Sequence, residues 1–217
     1  DLTGKEYSFK PSIRETGSRP VRGDIVATGL TILPARKQII DYSDPTFPSA
    51  VWLLARADSG ITPITPSGNL ERDIKATKAV MKRGATFVAD NSCLDPTLYG
   101  LEGKGLKLKR FVLGAGNVNE VVPAMLKNES DMTLLDVPDV LLAMERWSGR
   151  VIVVGPISGE QRMAAGFRKD SPKLREAFNS FLAGIKKDGT YMKLVRKYFR
   201  GAPRYMPEFF VDIPGRD

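Results

Sequence analysis

The chain has 217 residues, 42% of them hydrophobic, enough to build one large domain or two lobes of about 100 residues each. It carries 33 basic against 25 acidic residues, a net charge of +8, which favours anionic partners. One cysteine, Cys93, and no histidine exclude an internal disulfide, a Cys/His metal cluster and a Ser-His-Asp or Cys-His site within the chain.

Lys5–Pro11 is expected as a strand and Glu15–Arg22, polar with Gly, Ser and Pro, as a loop. Asp24–Thr28 is an apolar run of strand character that Gly29 breaks. A polar turn through Pro34 leads to Arg36, and Asp41, Ser43, Asp44 and Pro45 make a second turn before a strand at Ala50–Ala55. Residues 56–70 are rich in Gly, Pro, Ser and Thr and have linker composition. Asn69 caps a helix expected over Leu70–Arg83, which Gly84 ends.

From Ala85 strands and helices alternate. The expected strands are Ala85–Ala89, Lys107–Leu113, Asp131–Leu135 and Arg150–Val154. The expected helices are Leu94–Leu101, Asn117–Lys127 and Pro138–Trp147. This alternation predicts a mainly parallel α/β sheet covered on both faces. Gly155–Gly159 follows as a second linker and Met163–Phe167 as a strand. Ser171-Pro172 starts a helix whose apolar face is Leu174, Ala177, Phe178, Phe181, Leu182 and Ile185. Asp188-Gly189 breaks it, and Tyr191–Phe199 is a last helix with Leu194, Val195 and Phe199 inward. Residues 200–217 have the composition of an extended tail.

Several groups can bind a ligand. Gly29 lets backbone approach a ligand closely. The Thr31 hydroxyl and the Arg36 fork, five residues beyond it, can converge on one small anion, because a planar guanidinium grips both oxygens of a carboxylate. Chemistry alone favours the plainer alternative, a solvated turn with a surface arginine. Asp136 ends a strand, where a carboxylate faces the ligand crevice of a parallel sheet; before Val137-Pro138 it is also a good helix cap. Asn91 and Ser92 precede a helix whose N-terminal N–H groups make an anion site, though Asp90 beside them can repel an anion or pair with a cation. Cys93 is a small packing residue. Tyr42 and Trp52 can stack on a ligand or pack beneath the linker; Trp147 packs. Gly114-x-Gly116, after a strand and before a helix, is a weak dinucleotide pattern with Asn119 in its third place. Glu129-Ser130, in a turn, is assigned no catalysis.

The segment Gly29, Thr31, Arg36, Ile39, Ile40, Asp41, Tyr42, Ser43, Asp44, Pro45 resembles the signature of family 3 periplasmic solute-binding proteins, the amino-acid binders of ABC importers. The string from Arg168 to Phe199 resembles their C-terminal signature. The chain is also similar to the binding-protein-like N-terminal domain of membrane-bound lytic murein transglycosylase F. The resemblance implies an α/β, two-lobed, type II periplasmic-binding fold. Lobe 1 is then 1–57 with 158–200, lobe 2 is 58–157, and 201–217 is a tail. A strand–helix–strand unit expected before Gly23 is missing from lobe 1. The implied ligand is a small amino-acid-like solute in an interlobe cleft closed by a hinge. Its anionic end meets Gly29, Thr31 and Arg36, its α-ammonium Asp136, with Asn91 and Ser92 beside them.

The implied location is periplasmic or otherwise extracytoplasmic, and the implied partners are an ABC permease or cell-wall material. No cofactor or metal is expected. No nucleic-acid partner is expected either, since the basic groups Lys104–Arg110 and Lys186–Arg200 alternate with apolar residues as solvated faces do. No run approaches the ~18 apolar residues of a membrane span. Two alternatives to solute import stay open: a regulatory domain of a lytic transglycosylase or sensor, and a nucleotide-dependent enzyme using the Gly114 turn.

Overall fold

The structure, a computed structural model, describes residues 24–111 and 120–215. The expected strand at Lys5–Pro11, the loop at Glu15–Arg22 and the Gly114-x-Gly116 turn lie outside the described residues. The chain divides into two compact units. One is continuous, Ala50–Glu160; the other is split, joining the described residues up to Ser49 to those from Gln161 onward.

The split unit is built on strands β1 (Ile25–Thr31), β2 (Asp41–Tyr42), β3 (Phe47–Ser49) and β9 (Gln161–Phe167). All pair antiparallel with β9, which lies between β1 on one side and β2 and β3 on the other. Gly29 does not end β1. The strand runs on to Thr31, and the register slips between Val26 and Leu30, so Ala27, Thr28 and Gly29 form an exposed bulge. A four-residue helix α1 (Pro34–Lys37) replaces the expected turn, started by Pro34 at its first position.

Ser43 shows why its motif position suits a small hydroxyl. Its backbone N–H donates to the Ala165 carbonyl at 2.9 Å, and its Oγ accepts from the Ala165 N–H at 3.0 Å. Ser43→Ala strands that buried N–H, which costs about 1–3 kcal/mol. A Tm lowered by several degrees is therefore expected, measured by calorimetric unfolding.

Helices α5 (Pro172–Lys187) and α6 (Thr190–Tyr198) follow β9. The expected apolar face of α5 is only partly covered: Leu182 is buried, whereas Leu174 and Phe181 are exposed. On α6 the buried residues are Tyr191, Met192 and Val195, and Leu194 faces out, against expectation. The tail is not extended. It forms helix α7 (Ala202–Tyr205) and a 3-10 turn (Pro207–Phe210) that buries Phe210, whose ring packs near Phe47 and Tyr191.

The continuous unit holds β4 (Val51–Arg56), β5 (Ala85–Val88), β6 (Lys107–Arg110), β7 (Met132–Asp136) and β8 (Val151–Pro156), in the order β6-β5-β7-β4-β8. The sheet is mixed rather than mainly parallel. β5 runs parallel to β6 and β7, but β4 is antiparallel to β7 and β8. β4 enters from the other unit and therefore runs against the crossover strands. Placing Ala50–Ala55 with lobe 1 is corrected for the same reason: this strand is laddered between β7 and β8. Residues 57–69 accordingly lie within the continuous unit, and the chain passes between units at 49–50 and 160–161.

Helices α2 (Leu70–Val80), α3 (Val121–Leu126) and α4 (Val137–Arg146) complete this unit. The Asn69 side chain caps α2 by accepting from the Arg72 N–H at 3.0 Å. Val51, Leu53, Leu54, Leu134, Leu135 and Met125 sit at the centre of one apolar core. The Ser130 hydroxyl is buried within reach of the Ala85 and Met132 carbonyls, a structural role in the turn before β7. Trp147 packs on this core under the exposed Arg146 guanidinium.

Candidate functional site

Thr31 ends β1 opposite Met163, two residues from where β9 begins. Its side chain is buried, 1% exposed, and its hydroxyl makes no hydrogen bond among the described residues. Its carbonyl takes two donors, Arg36 Nη1 at 3.0 Å and the Tyr42 hydroxyl at 3.1 Å. Arg36 is half-buried, not out in bulk water. Burial pushes the Tyr42 phenol above its ordinary pKa, against the opposing pull of the Leu33 N–H and the Arg36 guanidinium. Gly29 is exposed beside them, and a Cβ there would come within 2.9 Å of Met163 Sδ. Gly29, Thr31 and Arg36 thus gather at one end of the split unit's sheet.

A buried hydroxyl without a partner costs about 1–3 kcal/mol, and valine has nearly the shape of threonine without that cost. Thr31→Val is therefore expected to leave the Tm of the unliganded protein unchanged, or to raise it by a few degrees, while weakening solute binding. Thermal unfolding with and without ligand checks this; a fall of several degrees without ligand would show that the fold itself uses the hydroxyl.

In the continuous unit, Asp136 lies at the C-terminal end of β7, 7% exposed. It precedes α4 without giving that helix a side-chain cap bond, and its Oδ2 accepts from the Cys93 thiol at 3.0 Å. The thiol therefore does more than fill space, and the Tyr99 hydroxyl donates to the Cys93 carbonyl. β5 runs parallel to β7, so the turn at residues 90–95 lies at the same edge as Asp136. β4 starts and β8 ends at this edge too, since Val51 pairs with Asp136 and the Ile157 N–H donates to the Val51 carbonyl at 2.8 Å.

The expected helix after Ser92 is only a four-residue 3-10 turn, Pro96–Tyr99, closed by Gly100 in left-handed conformation. Its cap is Asp95, whose oxygens accept from the N–H groups of Asn91 at 2.8 Å and Thr97 at 2.9 Å. Burial raises the Asp95 pKa, but the hydrogen bonds from Thr97 and Asn91, aided by Arg110, bring it below the ordinary value. The protein's own carboxylate thus occupies the N–H groups expected to hold an anion. The Ser92 hydroxyl donates to the Ala89 carbonyl at 2.7 Å and accepts from the Leu94 N–H at 2.9 Å, so it shapes the turn. Asn91, at φ +59, keeps an exposed side chain. Asp90 is exposed and pairs with Arg110 at 3.3 Å. Trp52 packs against the core.

Two residues escaped the sequence reading. Asp95 directly before Pro96 is a recognisable cap signal. Tyr42, expected to stack or pack by its ring, instead donates its hydroxyl to the Thr31 carbonyl. Among the described residues there is no group of three or more His, Cys, Asp or Glu side chains able to hold a metal, and no helix long and apolar enough to cross a membrane.

Membrane-bound lytic murein transglycosylase F of Desulfosudis oleivorans is 26% identical over 178 residues, covering 82% of this chain and 36% of its own length. The chain thus spans about a third of that relative. The arginine-binding extracellular protein ArtP of Bacillus subtilis is 25% identical over 212 residues, covering 93% of this chain and 72% of its own length. Among solved structures, the P235GK mutant of ArgBP from T. maritima matches with a TM-score of 0.66 at 21% identity, covering 82% of this chain and 69% of its own; this shows the type II periplasmic-binding fold. The family described as bacterial extracellular solute-binding proteins, family 3, matches residues 8–201, and the chain belongs to it.

Proposed function

We propose that the chain binds a small solute of amino-acid type outside the cytoplasm and acts by binding rather than catalysis. Arg36, with Thr31 and the Gly29 backbone, holds the solute's carboxylate. Asp136 holds its ammonium, with the exposed Asn91 side chain beside it and Ser92 keeping the turn in shape. The observation that carries this reading is Arg36, a half-buried guanidinium fastened by one nitrogen to the Thr31 carbonyl. A planar guanidinium matches both oxygens of a carboxylate in a bidentate pair, which suits this position to the solute's anionic end. Asp136, buried at the C-terminal end of β7, is the carboxylate proposed for the ammonium.

Closure of the units about the two crossings at 49–50 and 160–161 is the expected motion. Delivery to an ABC permease is the role that follows for a free-standing binder. A second reading, a ligand-sensing part of a longer lytic transglycosylase, is favoured by the match to about a third of such a protein. One relative, ArtP of Bacillus subtilis, carries arginine binding in its name, so L-arginine is the first probe. Isothermal calorimetry against L-arginine and a panel of the other L-amino acids tests the reading. Saturable 1:1 binding of at least one is expected, with a smaller radius of gyration in solution scattering; no heat from any of them contradicts it.

A further inference from the structure

We propose that Tyr42 is a positioning residue for Arg36: its hydroxyl, bonded to the Thr31 carbonyl, fixes the point to which the guanidinium is fastened. This deepens the reading of Arg36 as the solute's anion-binding group and rests on it.

The segment that carries Arg36 has little structure of its own. α1 is four residues long, its N-cap makes no side-chain hydrogen bond, and β2 is two residues long. Helices this short are not held by their own backbone bonds. Asp41 ties the far end of the segment down through Arg175 at 3.1 Å and Lys169 at 3.8 Å. The near end is held by Tyr42.

β2 and β1 lie on opposite sides of β9, so the bond from the Tyr42 hydroxyl to the Thr31 carbonyl spans that strand. Gly166 stands opposite Tyr42 in the ladder, and the space a side chain would take there is filled by Ile40 and Leu30. A carbonyl oxygen has two lone pairs. Arg36 Nη1 and Tyr42 Oη fill both, which holds the Thr31 peptide, the guanidinium and the phenol as one unit. A phenol is protonated, hence a donor, at neutral pH, and burial raises the Tyr42 pKa further. Phenylalanine fills the same space without the hydroxyl, so Tyr42→Phe removes the bond to the Thr31 carbonyl, with the phenol oxygen's interactions with the Leu33 N–H and Arg36, and leaves the packing.

The test uses the full chain. The Arg36 Nε–Hε signal is assigned by its loss in Arg36→Lys, and its exchange with water is measured without ligand. Exchange at least several-fold faster in Tyr42→Phe is expected, with a Tm within about 2 °C of the parent. The Kd for L-arginine is expected to weaken about 3–10-fold, the equivalent of one modest hydrogen bond. Unchanged Arg36 exchange overturns the proposal, even if affinity falls, because Tyr42 would then be touching the solute itself. Failure of L-arginine and the other amino acids to bind the parent protein instead overturns the reading of the site, while the exchange measurement still decides the role of Tyr42.

Discussion

Arg36→Ala is expected to weaken amino-acid binding about 30- to 1,000-fold, the loss that follows when one partner is removed from a desolvated, hydrogen-bonded ion pair. The fold should barely register the change. Arg36 sits on a four-residue helix, and the Thr31 carbonyl it releases keeps the Tyr42 hydroxyl as a donor. The loss of one such bond amounts to about 1 kcal/mol. Arg36→Lys should recover only part of the affinity, since an ammonium keeps the charge but cannot grip two oxygens at once. Calorimetric titration of both variants, with thermal unfolding as the control for folding, checks this. Equal affinity in Arg36→Ala would show that the carboxylate is held elsewhere.

Gly155→Ala is expected to give the largest loss of stability, about 3 kcal/mol or more, at the top of the range for overpacking a core. Gly155 lies in β8 at the point where its register with β4 slips. A Cβ there would collide with Thr77 Oγ1 and stand 2.9 Å from Ile64 Cγ1. Ile64 can shift, but Thr77 cannot do so easily. It is fully buried, and its hydroxyl donates to the Asp73 carbonyl at 2.9 Å one turn back in α2. For a chain of this length, the expected fall in Tm is roughly 10 °C. Thr77→Ala removes the obstructing oxygen, so the double variant should recover part of the loss. An unchanged Tm in Gly155→Ala would mean that α2 packs against β8 more loosely than the structure has it.

Local chemistry was legible in the sequence where it acts over a few residues. Asn69 before an apolar period announced the cap of α2, Ser171-Pro172 announced the start of α5, and Thr31 with Arg36 five residues on announced a corner that the fold does assemble. What depends on distant pairing was not legible. The Gly/Pro/Ser-rich stretch after β4 looks like a boundary, yet the boundary falls before β4, because ladders with strands some 80 and 100 residues away claim it. The Tyr42 hydroxyl finds Thr31 only because β9, more than a hundred residues later, inserts between their strands. The anion site expected at Asn91 was lost to Asp95, an acceptor four residues away whose reach depends on the 3-10 turn that Pro96 and Gly100 delimit.

Whether Arg36 grips the solute's carboxylate is decided by titrating the parent protein with its tightest-binding L-amino acid and with the amine that remains when the carboxylate is removed: agmatine, if that amino acid is L-arginine. The amine is expected to bind at least about 30-fold more weakly, matching the loss expected for Arg36→Ala, and Arg36→Ala is then expected to discriminate little between the two. Equal affinity for amino acid and amine in the parent protein would contradict that role for Arg36.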